Sequence, residues 1–197
     1  MDFEKASEYI TNRLKNELAV TLYYHSFDHT MDVYKATMDL AKQEGINGES
    51  LGLMKIAALY HDAGFIYQYL DNEKVAAQIA RETLPGFGYT PSQVEIITGI
   101  ILATVVFAVP KTHLEQIVKD ADLDYLGRDD FKHISVSLQK ELNSNGFQLT
   151  DQKWDQIQVK FFEKHLYYTK SAVQYRKPTK QKHFEEIKQR VLSYEKK

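Results

Sequence analysis

The 197-residue chain has seven histidines and no cysteine. Any metal it holds must therefore sit on imidazole and carboxylate groups, and no thiolate is on offer as ligand or nucleophile. The most pointed arrangement is the doublet His61-Asp62, which ends the apolar run Ala57-Ala58-Leu59-Tyr60. A helical turn of that composition carries both polar groups inward, where leaving them unpartnered costs on the order of several kcal/mol. A cation would serve as the partner. The plainer reading is a helix end with a chance polar doublet, closed by Gly64.

Upstream, Tyr24-His25-Ser26-Phe27-Asp28-His29 sets two histidines four residues apart. If a helix starts near Asp28, His29 lies in its first turn and His25 on the loop before it. One can then bind metal while the other faces a substrate. Downstream, Asp120-Ala121-Asp122-Leu123-Asp124-Tyr125 carries acids at alternate positions. A calcium loop is excluded, because Tyr125 stands where glycine is required and Phe131 where the bidentate glutamate is required. What remains is one aspartate joining the histidine site, with Asp124 on a solvated acidic face.

The elements that must position these groups read as helices. Only four prolines and nine glycines interrupt the chain. Phe3, Ala6, Tyr9, Ile10, Leu14 and Leu18 form one stripe at three- and four-residue steps. Ser26 or Asp28 is expected to cap a helix running to Gln43, Ser50 a third, Asp71 a fourth stopping at Pro85-Gly86, and Thr90-Pro91 a fifth. Ile96 to Val109 should be a buried helix that becomes extended toward Pro110. Further helices are expected over Leu114 to about Leu126, from Asp129-Asp130 to Asn145-Gly146, from Asp151 through Phe162, and from near Thr179. Arg176 to Lys182 reads as a solvated linker, and the aromatics from Trp154 to Tyr175 as core. The fold class is thus all-α, in a single domain over residues 1–197 with C-terminal helices over 150–197.

A net charge of −2 offers no broad electrostatic footprint for nucleic acid. No apolar stretch reaches the roughly 20 residues of a membrane span, and the N-terminus lacks a signal-peptide core. A cytoplasmic protein is the default expectation.

In order, these pieces resemble the HD-domain superfamily of metal-dependent phosphohydrolases, whose pattern is one His, an adjacent His-Asp pair and a distant Asp. It maps onto His29, His61-Asp62 and Asp122. A subgroup of predicted HD phosphohydrolases is similar further: Tyr-His-x-x-x-His matches Tyr24 to His29, Asn-Glu-x-x-Ala matches Asn72 to Ala76, and Asp-Ala-Asp-Leu matches Asp120 to Leu123. The motif core spans 24–130. The resemblance implies an HD-like helical bundle with a C-terminal helical extension.

It also implies a metal site of His29, His61, Asp62 and Asp122. Other HD proteins carry extra histidines before the last Asp; here only His113 lies in that interval, so one ion is expected. Two imidazoles and two carboxylates suit manganese, iron, cobalt, nickel or magnesium; zinc also takes such ligands but usually fewer. Such an ion polarises a phosphoryl oxygen and lowers the pKa of a bound water. The expected activity is hydrolysis of a nucleotide or another small phosphate ester. Asp62 would orient the water, His25 would serve as general acid, Glu73 as a nearby base, and Arg128 would contact phosphate. The alternative is a non-catalytic metal-binding HD module that senses a ligand or partner.

Overall fold

The Asp2 carboxylate accepts the Lys5 amide (3.1 Å) and so starts α1 (Phe3–Glu17), which buries Ala6, Ile10 and Leu14. The computed structural model describes residues 1–194, and among these there are ten α-helices and no strand. The all-α class expected from periodicity is present, and the bundle is consistent with the HD-like arrangement that the resemblance implies.

The centre is α3 (Gly48–Tyr60), in which every residue from Ile56 to Tyr60 is buried. Around it pack α1, α2 (Phe27–Gln43), α5 (Pro91–Ala103) and α6 (His113–Asp122). Each large apolar side chain fully buried there contributes about 1.5–3 kcal/mol. α4 (Asn72–Thr83) lies against α5 and against the 3₁₀ turn Ala63–Ile66. α7 (Phe131–Ser144) follows, and the C-terminal helices are α8 (Asp151–Lys164), the short α9 (Lys170–Tyr175) and α10 (Lys177–Tyr194), with α10 packed on α8 and on the 3₁₀ turn Asp124–Gly127. No helix among the described residues is long and apolar enough to cross a membrane.

Several boundaries differ from expectation. Ser50 does not cap α3, which starts three residues earlier, at Gly48 behind Asn47. The helix expected to reach Leu126 stops at Asp122, and a 3₁₀ turn follows. After α5, Thr104 to Phe107 turns before the chain runs on to Pro110, with Phe107 at φ 63° and Val106, Phe107 and Val109 exposed. Arg176 to Lys182 is no solvated linker. It opens α10, and Lys180 Nζ donates to the carbonyls of His165 (2.6 Å) and Phe162 (3.4 Å). Of the aromatic run, Trp154, Phe162 and Tyr167 are buried core, as read, whereas Phe161 and Tyr168 are partly buried and Tyr175 is exposed.

Candidate metal centre

Three helix ends meet at one point. Ser26 caps α2, its hydroxyl accepting the His29 amide at 3.4 Å, and so sets His29 in the first turn. His61 follows the last residue of α3, and Asp62 follows it at φ −102°, ψ 8°. Asp122 is the last residue of α6. That helix is tied to α5 by Lys119, whose buried ammonium donates to the carbonyls of Ala103 (2.8 Å) and Val105 (2.9 Å). The lysine thereby supplies partners for carbonyls that the end of α5 leaves open.

The residues expected as ligands converge across more than ninety positions. His29 Nε2 lies 3.4 Å from Asp62 Oδ2 and 3.2 Å from Asp122 Oδ1, and His61 Nε2 lies 3.1 Å and 3.7 Å from the same two oxygens. These separations are short, yet His29 Nε2, His61 Nε2 and Asp62 Oδ2 are all buried without an aligned hydrogen-bond partner. The atoms face a common centre and not one another. Ligands about 2.1 Å from a shared ion would stand about 3.0 Å apart at right angles and about 3.4 Å apart at a tetrahedral angle; the 3.4, 3.2 and 3.1 Å separations fall in that range, and His61 to Asp122, at 3.7 Å, lies a little beyond it. His61 Nδ1 is 2.8 Å from the Ala58 carbonyl. A proton there leaves the Nε2 lone pair free to face the centre. Ligand atoms of His29, His61 and Asp122 all lie within 4.8 Å of one another and could hold a divalent metal.

The charges reinforce each other. Burial opposes the His61 imidazolium, but the adjacent Asp62 and Asp122 carboxylates outweigh it and raise its pKa well above the ordinary value. Burial likewise opposes the two carboxylates, and the histidines overcome it, holding both below the usual range.

The other expected site residues fall at different distances from this centre. His25 stands beside it, stacked on Phe65 with ring centroids 4.2 Å apart and edge-on to His29 at 5.9 Å. Glu73 lies half-buried in the first turn of α4, where burial raises its pKa and the nearby Asp62 and Asp122 charges add to the rise. Gly64 brings that turn close: a Cβ on it would lie 1.9 Å from the Asn72 carbonyl oxygen. Arg128 is turned to carboxylates. Its guanidinium bonds Asp130 through Nε and Nη2 (3.0 Å each) and pairs with both oxygens of Asp32 (3.0 and 2.8 Å). It lines a hollow of about 290 Å³ that also reaches His29 and His133.

Asp120 turns away from the centre, and its carboxylate accepts the amides of Tyr168 and Thr169 and the Thr169 hydroxyl. Asp124 is not solvated: it is buried and paired with Arg176, with Arg128 at 3.5 Å. One residue escaped the sequence reading. Glu141 on α7 is fully buried and accepts the amides of Tyr24 (2.7 Å) and His25 (2.9 Å), the His25 ring Nδ1 and the Tyr69 hydroxyl (3.0 Å). Its signal was available, since Glu141 continues the stripe Phe131, Ile134, Leu138, where an apolar residue would be the rule.

With this geometry in view, the comparisons with known proteins agree. A model of the HD domain matches residues 26–124. The chain belongs to the HD domain family. A crystal structure of a Lactobacillus plantarum protein aligns over the full length of both chains, at 21% identity and a TM-score of 0.72. The crystal structure of a predicted HD superfamily hydrolase from an uncultured Thermotogales bacterium aligns over 97% of this chain and 91% of its own, at 20% identity and a TM-score of 0.60. At those identities the likeness establishes the fold. No curated protein matches the chain.

Proposed function

We propose that the protein is a metal-dependent phosphohydrolase or phosphodiesterase acting on a nucleotide or another small phosphate ester. The observation that carries this reading is the set of buried, unpartnered donor atoms of His29, His61 and Asp62 gathered beside Asp122. A purely structural polar cluster would be expected to satisfy its own hydrogen bonds. His29, His61, Asp62 and Asp122 would hold one divalent ion, of which manganese, iron, cobalt, nickel or magnesium suit a mixed nitrogen and oxygen set. The ion, when bound, supplies a Lewis acid that stabilises charge developing on phosphoryl oxygens and makes a water more acidic.

The chain's own groups handle the protons. Asp62 carries a second oxygen with which to orient the attacking water. His25, outside the ligand set and partly exposed, gives a proton to the leaving oxygen. Glu73, its pKa raised by burial, takes the proton that the water releases. Arg128, bound up with Asp32 and Asp130, shapes the hollow beside His29 and would have to give up a carboxylate to meet a phosphate.

The test is metal content of the purified protein together with a panel of nucleotides and simple phosphate esters, assayed with added manganese. His61→Ala should lose both metal and turnover. His25→Ala should keep metal and slow turnover by ~100- to 10,000-fold. A wild-type protein that retains stoichiometric metal but hydrolyses nothing in the panel would point to the binding-module reading instead.

A further inference from the structure

Both members of one close pair, His25 and Glu141, lie outside the segment that matches the HD domain, residues 26–124. They are 116 residues apart in sequence, and the His25 ring Nδ1 meets Glu141 Oε1 in a short contact. No hydrogen bond engages the other ring nitrogen, Nε2, among the described residues, and the side chain is 21% exposed. We infer that Glu141 is a positioning residue that holds the proton of His25 on Nδ1, so that Nε2 is the one ring atom left to exchange protons beside the metal centre. The inference rests on the hydrolase reading for its catalytic consequence, though not for the hold of Glu141 on the ring.

The hydrogen-bond inventory of Glu141 forces the arrangement. Oε2 accepts two main-chain amides, Tyr24 N–H and His25 N–H, and neither can become an acceptor. Oε1 accepts the Tyr69 hydroxyl and faces His25 Nδ1. A carboxylate has no proton to give, so the shared hydrogen belongs to the imidazole. The same main-chain amides fix the loop that carries His25, and Phe65 stacks on the ring. The imidazole therefore has one orientation and one tautomer. In the proposed reaction Nε2 gives its proton to the leaving oxygen, the O–P bond breaks, and the imidazole is left neutral with Nδ1 still protonated. Glu141 stabilises the imidazolium before the transfer and touches no reacting atom.

The experiment uses Glu141→Gln, which keeps the shape. Its amide oxygen must take the place of Oε2 to serve the two main-chain amides, so its NH₂ faces Nδ1. Nδ1 then has to accept, and the neutral ring must carry its proton on Nε2. Nitrogen-15 NMR of the histidine ring, recorded at a pH that neutralises it, should show the Nδ1–H tautomer of His25 in the wild type and the Nε2–H tautomer in the variant. Manganese content should stay level, while hydrolysis of phenyl phosphate falls by on the order of 100- to 10,000-fold. Hydrolysis of p-nitrophenyl phosphate, whose leaving group needs less protonation, should fall less. In a His25→Ala background Glu141→Gln should cost little more, because it acts through a ring that is gone.

An unchanged tautomer in Glu141→Gln overturns the inference, and so does an equal loss with or without His25. Absence of hydrolysis by the wild type overturns the hydrolase reading, while the tautomer still decides whether Glu141 sets the ring. If Glu141→Gln does not fold, the wild-type spectrum alone decides: a neutral His25 bearing its proton on Nε2 is incompatible with the hold.

Discussion

Asp120 and Asp122 sit two residues apart near the end of α6 and serve opposite sides of the structure. Two helical steps turn a side chain through about 200°, so Asp122 faces His29 at 3.2 Å while Asp120 accepts the amides of Tyr168 and Thr169. The two aspartates should therefore fail in different ways. Asp122→Asn should lose most of its bound metal, measured by elemental analysis, with the fold intact. Asp120→Asn should keep its metal. Its new NH₂ would oppose a main-chain N–H, costing about 1–3 kcal/mol, read as a lower midpoint in denaturant. Equal metal loss in both would merge the two roles.

Metal removal should reverse the pH dependence of stability. The His61 pKa is raised above its ordinary 6.5 by Asp62 and Asp122 against the cost of burial, so its stabilisation is complete below that pH. It is lost as pH rises through the raised value. Asp62 and Asp122 are lowered from 3.8 by the histidines, also against burial, and their contribution disappears as pH falls through the lowered values. The metal-free protein should thus melt lower on going from about pH 6 toward about pH 9. Metal binds neutral imidazole, so the gain in Tm on adding manganese should grow over the same interval. Parallel melting curves with and without chelator would contradict this.

Gly64→Ala should be costly. The added methyl would meet the Asn72 main chain, which has no flexible end to move aside. Overpacking of this kind costs about 1–3 kcal/mol, and each kcal/mol lowers Tm by roughly 2–4 °C in a domain of this size. The displacement would also carry Glu73 away from Asp62, so any turnover should fall with Tm. An unperturbed melting temperature would mean that the approach of α4 to the doublet is looser than described.

His25 titrates against Glu141. Burial works against its imidazolium, yet the hydrogen bond to Glu141 and the nearby Asp62 charge raise its pKa above 6.5. If His25 is the acid, the alkaline limb of kcat on a poor leaving group should lie above that pH. Glu141→Gln should shift that fall to lower pH. A limb that does not move would place the acid elsewhere, with Glu73 next in line.

Most of this architecture was legible because it is local. The α1 stripe repeats every three or four residues, and the His61-Asp62 doublet is bounded by an apolar turn on one side and Gly64 on the other. The family pattern then selected Asp122 over Asp120, which composition could not do. What escaped was long-range. Glu141 meets a histidine 116 residues away and so drew no reading of its own, and Arg176 meets Asp124 across 52 residues, so both members of that pair looked solvated when read with their neighbours. α9 is six residues long behind its Thr169 cap, too short for periodicity to register. The end of α6 was read too far because Leu123, Tyr125 and Leu126 prolong the apolar pattern through a 3₁₀ turn.

The return of the chain's last third to residues 120–127 bears on what could be cut out and reused. A fragment spanning 26–124, grafted into another scaffold, would carry all four side chains proposed to hold the ion. It would leave behind Tyr168 and Thr169, which neutralise the demand of Asp120, and Arg176, which answers Asp124. Two carboxylates evolved for an interior would then stand at a raw surface on either side of Asp122. The smallest transplantable unit is accordingly larger than the segment that carries the family's name.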